Sequence, residues 1–219
     1  MGNLTSQVNG ILNDMHTKQN VSKGVYGEQA AFCICEEFYK NCGGILIHSY
    51  SYETDPMLQG NVKRGDNGKH FIENLGSYTE IDILYVSKYK VFPIEIKAYK
   101  SREIRFDDEG IYGCYKTDKS PIHQNEMHCR HLYSHIFRAV PEGSTDYIVP
   151  IVCMVDATNI VDERTDWQKL YIKLCTLNQL HALIEEHNVP GQYLIDLKLM
   201  NQILKDVMVK HEKYLPSRY

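Results

Sequence analysis

Several features that would assign a sequence quickly are missing. No apolar run approaches the roughly 18 residues that a bilayer-crossing helix needs, so no membrane span is expected. The first residues lack a charged-then-apolar leader, which argues against a secretory signal. Met1-Gly2 followed by Ser6 fits the N-myristoylation pattern, a short match of a kind that also arises by chance. Basic excess is absent too: 24 Lys and Arg stand against 28 Asp and Glu, a net charge of -4. A non-specific nucleic-acid coat, which needs a broad basic surface, is thereby excluded, while a local basic site is not. The 7 cysteines are odd in number and scattered without a framework. They suit a reducing cytoplasm better than a disulfide-stapled secreted fold. No internal repeat or low-complexity linker divides the chain.

What is present is ordinary in bulk and specific in one place. The 219 residues, 43% hydrophobic and 24% charged, suffice for one domain with a full core. Within them, Tyr78-Thr79-Glu80-Ile81-Asp82-Ile83-Leu84-Tyr85-Val86 and Val91-Phe92-Pro93-Ile94-Glu95-Ile96-Lys97 are two β-branched, aromatic-rich runs. The polar Ser87-Lys88-Tyr89-Lys90 between them makes a hairpin. A turn centred between Lys88 and Tyr89 sets Val86 against Val91, Tyr85 against Phe92, Asp82 against Glu95 and Glu80 against Lys97. Period-two alternation then puts Glu80, Asp82, Glu95 and Lys97 on one face and Ile81, Ile83, Ile94 and Ile96 on the other.

Directly opposed side chains hold their β-carbons about 4.5–5.5 Å apart, and like charges there repel. Two carboxylates so placed, in strands too apolar to be surface, call for a cation. Hard oxygen donors suit Mg2+ or Mn2+, which also bind phosphate oxygens. Lys97, two residues after Glu95, adds a point charge nearby. Such an array can hydrolyse a phosphodiester.

Four pieces, in order, resemble one known family: Gly24-Val25-Tyr26-Gly27-Glu28 opening a helix, Thr79-Glu80-Ile81-Asp82, Glu95-Ile96-Lys97-Ala98-Tyr99, and Pro121-x-x-Gln124. The Asp…Glu-x-Lys order is similar to the signature of PD-(D/E)xK nucleases, and within them to the nuclease-related domain, NERD. The resemblance spans roughly residues 24–138. It implies an α/β fold, a mixed central sheet flanked by helices with a restriction-endonuclease-like core. It further implies a Mg2+- or Mn2+-dependent nuclease acting on nucleic acid, with DNA expected. Asp82, Glu95 and the backbone carbonyl of Ile96 would hold the cation. Glu28 would reach the site as a further ligand or water holder, although an acid in a first helical turn can simply complement the dipole. Gln124 would sit near the scissile phosphate or position Lys97 or the water.

The remaining chain reads in order as follows. Residues 1–23 form a polar arm or short helix, and 24–219 one nuclease-like domain, with C-terminal strands and helices over 145–215. The first helix carries Ala30, Ala31, Ile34, Cys35 and Phe38 on one stripe and stops at Asn41-Cys42-Gly43-Gly44. Cys33 and Cys35 read as core. A strand covers 45–52, and 53–76 is a long turn-rich loop whose Lys63, Arg64 and Lys69 could touch a phosphate backbone. Around the hairpin exit, Lys97, Lys100, Arg102 and Arg105 outnumber the single Glu103, and Lys100 and Arg102 are expected, with Lys63 and Arg64, to bind substrate.

Strands 103–106 and 111–115 form a short edge hairpin. Ser120-Pro121 starts a helix to about residue 138. On it, His128, His131 and His135 share a face, with His123 and Cys129 close by. A zinc site lacks a fourth ligand there, and a helix surface or partly buried seam explains them. A buried strand spans 147–155, a polar turn 162–166, a strand 170–174, a helix 177–187 and an amphipathic helix 196–214. All strands are expected in one mixed sheet. Two rivals accompany the nuclease reading: an inactive nucleic-acid-binding or scaffolding module on the same fold, or a cross-strand ion-pair ladder. With so little basic surface, a homodimer or a partner protein would matter to such an enzyme.

Overall fold

The computed structural model describes residues 23–53, 62–64, 70–72, 78–99, 102–107, 110–112, 120–133 and 147–190. The arm at 1–22 and the helix expected over 196–214 lie outside the described residues.

The hairpin forms as its turn residues dictate. Ser87 N–H donates to Lys90 O at 2.9 Å, and Ser87 Oγ accepts from the N–H of Tyr89 and of Lys90. Strand β4 (Tyr78–Val86) therefore pairs with strand β5 (Val91–Lys97) in the expected register, Val86 to Val91 and Tyr85 to Phe92. Tyr85 and Phe92 stack with ring centroids 5.8 Å apart. The ladder ends at Ile83 and Ile94, so the Glu80–Lys97 apposition is not part of the pairing. Glu80 is instead matched with Ser51 on β1 (Ile45–Glu53).

β5 lies third in a mixed five-stranded sheet, between β4 and β8 (Ile151–Met154), with β1 and β10 (Lys173–Thr176) at the edges. β1–β4 and β4–β5 are antiparallel, whereas β5–β8 and β8–β10 are parallel. Helices cover both faces. Helix α1 (Lys23–Cys42) packs its Ala30, Ala31, Ile34, Cys35 and Phe38 stripe, with Leu180 and Ile184 of a later helix, on Ile83, Tyr85, Phe92, Ile94 and Ile96. Helix α2 (Pro121–His131) covers the other face through Cys129 and the following Leu132. Ser120 precedes it, but its side chain makes no capping bond. Among the described residues, no helix is long and apolar enough to cross a membrane.

One expectation about faces fails. Ile81 does not share a face with Ile83; it packs with Leu84, Val86, Val91, Ile45, Ile47 and Tyr50 on the α2 side. The cause is local. The β1–β4 pairing skips Ser49 and Asp82, and Ser49 is left-handed at φ 59. Alternation resets at that point on both strands, which is what a local break in the pleat does.

Other departures concern the later chain. Among the described residues three sheets form rather than one. The 103–106/111–115 hairpin becomes β6 (Glu103–Asp107) and β7 (Gly110–Tyr112), and β6 also pairs parallel with β9 (Asn159–Asp162) in a separate three-stranded sheet. The long loop contains β2 (Val62–Arg64) paired with β3 (His70–Ile72). The strand expected over 170–174 is displaced by helix α3 (Asp166–Tyr171), which a Thr165–Gln168 capping box starts. A second box, with Gln179 accepting from Thr176 N–H at 2.9 Å, begins α4 (Leu177–His187) as expected. Cys35 is buried, but Cys33 is exposed and not core.

Gly27 fixes where α1 meets the sheet. A β-carbon there would lie 2.6 Å from Val155 Cγ2, just past the end of β8. Helix and sheet touch at this point, which delivers Glu28 to the carboxyl ends of β5 and β8. Gly27→Ala is expected to cost about 1–3 kcal/mol by overpacking, read as a lower urea midpoint with unchanged slope; an unchanged midpoint would show that the contact is not tight.

Candidate functional site

The acids assemble where β4 and β5 part. Asp82 has left the ladder, and its Oδ2 accepts the N–H of Ile96 at 2.6 Å, in place of a strand partner. Glu95, fully buried, projects towards α2. Its Oε1 is bonded by the Lys97 ammonium, and its Oε2 lies 3.0 Å from His128 Nε2. The ammonium of Lys97 keeps some solvent access, its side chain being 26% exposed. Asp82, Glu95 and Lys97 are thus electrostatic neighbours, although the expected cross-strand pairing of Asp82 with Glu95 is not part of the ladder, which ends at Ile83 and Ile94.

The charges respond to this crowding. Burial and the Glu95 charge push the Asp82 carboxyl up from 3.8 to about 7, against the pull of the Ile96 N–H and Lys97. Burial disfavours the Lys97 ammonium, yet the charge and hydrogen bond of Glu95 outweigh it and raise Lys97 above the ordinary lysine value. Lys97 is therefore a charged donor.

Glu28 approaches from α1 and adds to the negative potential at Asp82. Its Oε2 lies 3.7 Å from His48 Nε2 on β1. The Glu28 carboxylate first, then the charges of Glu80 and Asp82, raise the His48 pKa against the effect of its partial burial. Gln124 is half-buried on α2, one turn before His128. Lys63 and Arg64 occupy β2, with side chains outside the described ones, and Lys100 lies outside the described residues. Arg102 is exposed, and its carbonyl accepts from Thr158 and Asn159 to tie the second sheet together. Among the described residues, no hydrogen bond or ion pair brings its guanidinium to the acids.

The histidine face of α2 resolves into a buried seam. His128 and His131 are both buried, and His123 is exposed beside Glu126; His135 lies outside the described residues. Sequence reasoning missed three partners: His128 on Glu95, His48 on Glu28, and Asn125. The buried amide of Asn125 donates to Pro93 O at 3.3 Å and Ile151 O at 2.7 Å, pinning α2 across β5 and β8. The i, i+4 spacing of Gln124 and His128 was the one available signal.

A cation would meet hard oxygen here. Among the described residues, no three His, Cys, Asp or Glu side chains converge into a metal cage. Two carboxylates are what Mg2+ commonly uses while keeping several waters. A third oxygen is at hand. Lys97 O faces β8, where it accepts from Val155 N–H. Backbone groups alternate along a strand, so Ile96 O turns to the Asp82 side, as its N–H does. The donor set fits a magnesium-like ion and is too hard for zinc.

The raised Asp82 pKa has a measurable consequence. The folded state holds this proton between about pH 4 and pH 7, where the unfolded chain has released it. Its contribution to stability is therefore complete below the unfolded value and is lost as pH rises through about 7. In EDTA, wild type should lose melting temperature relative to Asp82→Asn as pH is raised across this window, by up to roughly 4 kcal/mol in stability. A wild-type–variant difference constant in pH would refute the shift.

Comparison with known proteins agrees with this geometry. The family described as NERD, nuclease-related domain, matches residues 23–155, more than half of the 219 residues. No curated protein matches the chain. The crystal structure of a protein of unknown function, AF1548, is similar over 82% of this chain and 79% of its own, with a TM-score of 0.34 and 10% identity. So slight a likeness carries no argument. The acid pair, Lys97, Gln124 and the glycine that seats Glu28 all fall inside the matched span, and the chain belongs to the nuclease-related domain family.

Proposed function

We propose that this protein is a Mg2+- or Mn2+-dependent nuclease that hydrolyses phosphodiester bonds in nucleic acid, DNA first among substrates, on a PD-(D/E)xK core. One observation carries the reading: fully buried Glu95 and half-buried Asp82 stand so close that burial first and their mutual repulsion second push Asp82 towards neutrality. A site that leaves such repulsion standing is prepared for a cation.

Asp82 and Glu95 hold the ion, with Ile96 O completing the protein ligands. Bound there, it supplies Lewis acidity towards a phosphate oxygen and a more acidic water. Glu28, braced by His48, stands further out and acts through water. Lys97 enters as an ammonium, so it orients the attacking water and offsets charge growing on the phosphorus oxygens. Gln124 positions that water or Lys97. Lys63, Arg64, Lys100 and Arg102 contact the flanking phosphate backbone.

A second reading has its own support. Both Glu95 oxygens are already bonded within the protein, and the net charge is -4. A self-satisfied site on a nuclease fold would make an inactive nucleic-acid-binding or scaffolding module. Incubation of plasmid and single-stranded DNA with Mg2+ or Mn2+, then EDTA, then fresh metal, separates the two. The nuclease reading expects cleavage that stops and resumes, and a loss of about 100-fold or more in Asp82→Asn and Lys97→Ala. Wild-type rates in either variant would overturn the site assignment. A protein that binds DNA and never cuts it would be the inactive module.

A further inference from the structure

We infer that His128 is a positioning residue for the acid site: it limits Glu95 to one oxygen for a cation and so favours small six-coordinate ions over calcium. This rests on the metal-dependent reading above.

The contact is unusually well enclosed. Glu95 is 0% and His128 1% exposed, and their atoms lie 3.0 Å apart. An ionised carboxylate only accepts, so Nε2 carries the hydrogen and donates to Oε2. Lys97 engages the other oxygen. With donors from two directions, the carboxylate plane has one orientation. The donor from above is itself rigid: Asn125, one turn earlier on α2, is bonded to both β5 and β8, and Cys129 and Leu132 are buried beside it.

This orientation bears on ion choice. Calcium takes six to eight oxygens at about 2.3–2.6 Å and commonly clamps a carboxylate through both of its oxygens. Mg2+ accepts single oxygens at about 2.0–2.1 Å in a strict octahedron. The part-exposed Lys97 ammonium can swing aside and leave Oε1 to a cation, whereas His128 is enclosed, so a two-oxygen clamp would have to crowd or weaken the buried hydrogen bond at Oε2. Loss of an outer partner of this kind commonly costs about 10–100-fold in metal affinity. A histidine that merely filled the core would leave affinity and ion preference alone.

The experiment titrates Mn2+ into the full chain, without nucleic acid, following the free Mn2+ signal by electron paramagnetic resonance and adding Ca2+ as competitor. His128→Ala should weaken Mn2+ binding by about 10–100-fold and narrow the preference for Mn2+ over Ca2+. His128→Gln places an amide N–H near the Nε2 position and should restore most of both. His128→Asn is polar but too short to reach Oε2, and should behave like the alanine variant. That comparison remains decisive if His128→Ala does not fold. Equal Mn2+ affinity and equal Ca2+ competition in the Gln and Asn variants would overturn the inference. A wild type that binds no Mn2+, indistinguishable from Asp82→Asn, would instead bring down the metal reading itself and this inference with it.

Discussion

Everything at the site depends on the bond from Ile96 N–H to the Asp82 carboxylate. In an uninterrupted hairpin that N–H would meet a backbone carbonyl across the ladder. Here a side chain takes its place, so β4 and β5 can separate after Ile83 and Ile94 without leaving a buried donor unpaired. The separation turns Ile96 O towards the gap, ties Asp82 beside Glu95, and lets Lys97 reach the acid two residues behind it. Opposite Asp82, Ser49 takes a left-handed backbone that costs a non-glycine residue free energy. The cost falls where the pleat must break for the acids to meet.

Electrostatics and packing pull against each other at this point. The sheet buries Glu95 completely, which leaves its oxygens to be satisfied by the protein. The protein counters with directed donors, Lys97 on one oxygen and His128 on the other, and Asp82 carries the residual repulsion as a raised pKa. Burial disfavours the Lys97 ammonium, and the charge and hydrogen bond of Glu95 more than offset it. A site tuned for function at the expense of stability has this character, and on the proposed reading a chain of net charge -4 can bind a cation and, through it, a phosphate. The field that matters is local.

Where order in the chain is set by neighbours a few residues apart, the sequence was readable. The hairpin register followed from Ser87 and Lys90, α1 from its apolar stripe, and α4 from Thr176. Thr165-x-x-Gln168 carried an equally good helix start, and the apolar Leu170 and Tyr171 drew the reading towards a strand instead. The second sheet was not legible, because β6 pairs with β9 across more than fifty residues of chain and short strands declare no partner. Neither was the reversal at Ser49, since serine gives no sign of a left-handed backbone as glycine would. Within the site, period two put Glu95 and Lys97 on one face of β5, whereas Asp82 sits at the break in alternation and meets them through the Ile96 N–H. His128 did not announce itself, because what distinguishes it is the residue it faces from another layer.

That last point generalises to the whole arrangement. The two outer acids are each held by a histidine from a neighbouring element: Glu28 of α1 by His48 of β1, and Glu95 of β5 by His128 of α2. The first pair belongs to the layer above the sheet and the second to the layer below. In a closed sheet these layers would be insulated from one another by the strands. They communicate here only because β4 and β5 part at Asp82, which feels both Glu95 and Glu28. The gap is therefore the point at which two separately built acid–histidine pairs meet, while the tight contact of Gly27 with Val155 seats α1 at the end of β8 and the Asn125 clamp seats α2 across β5 and β8. Reactivity at such a point would depend as much on those two packing contacts as on the acids themselves.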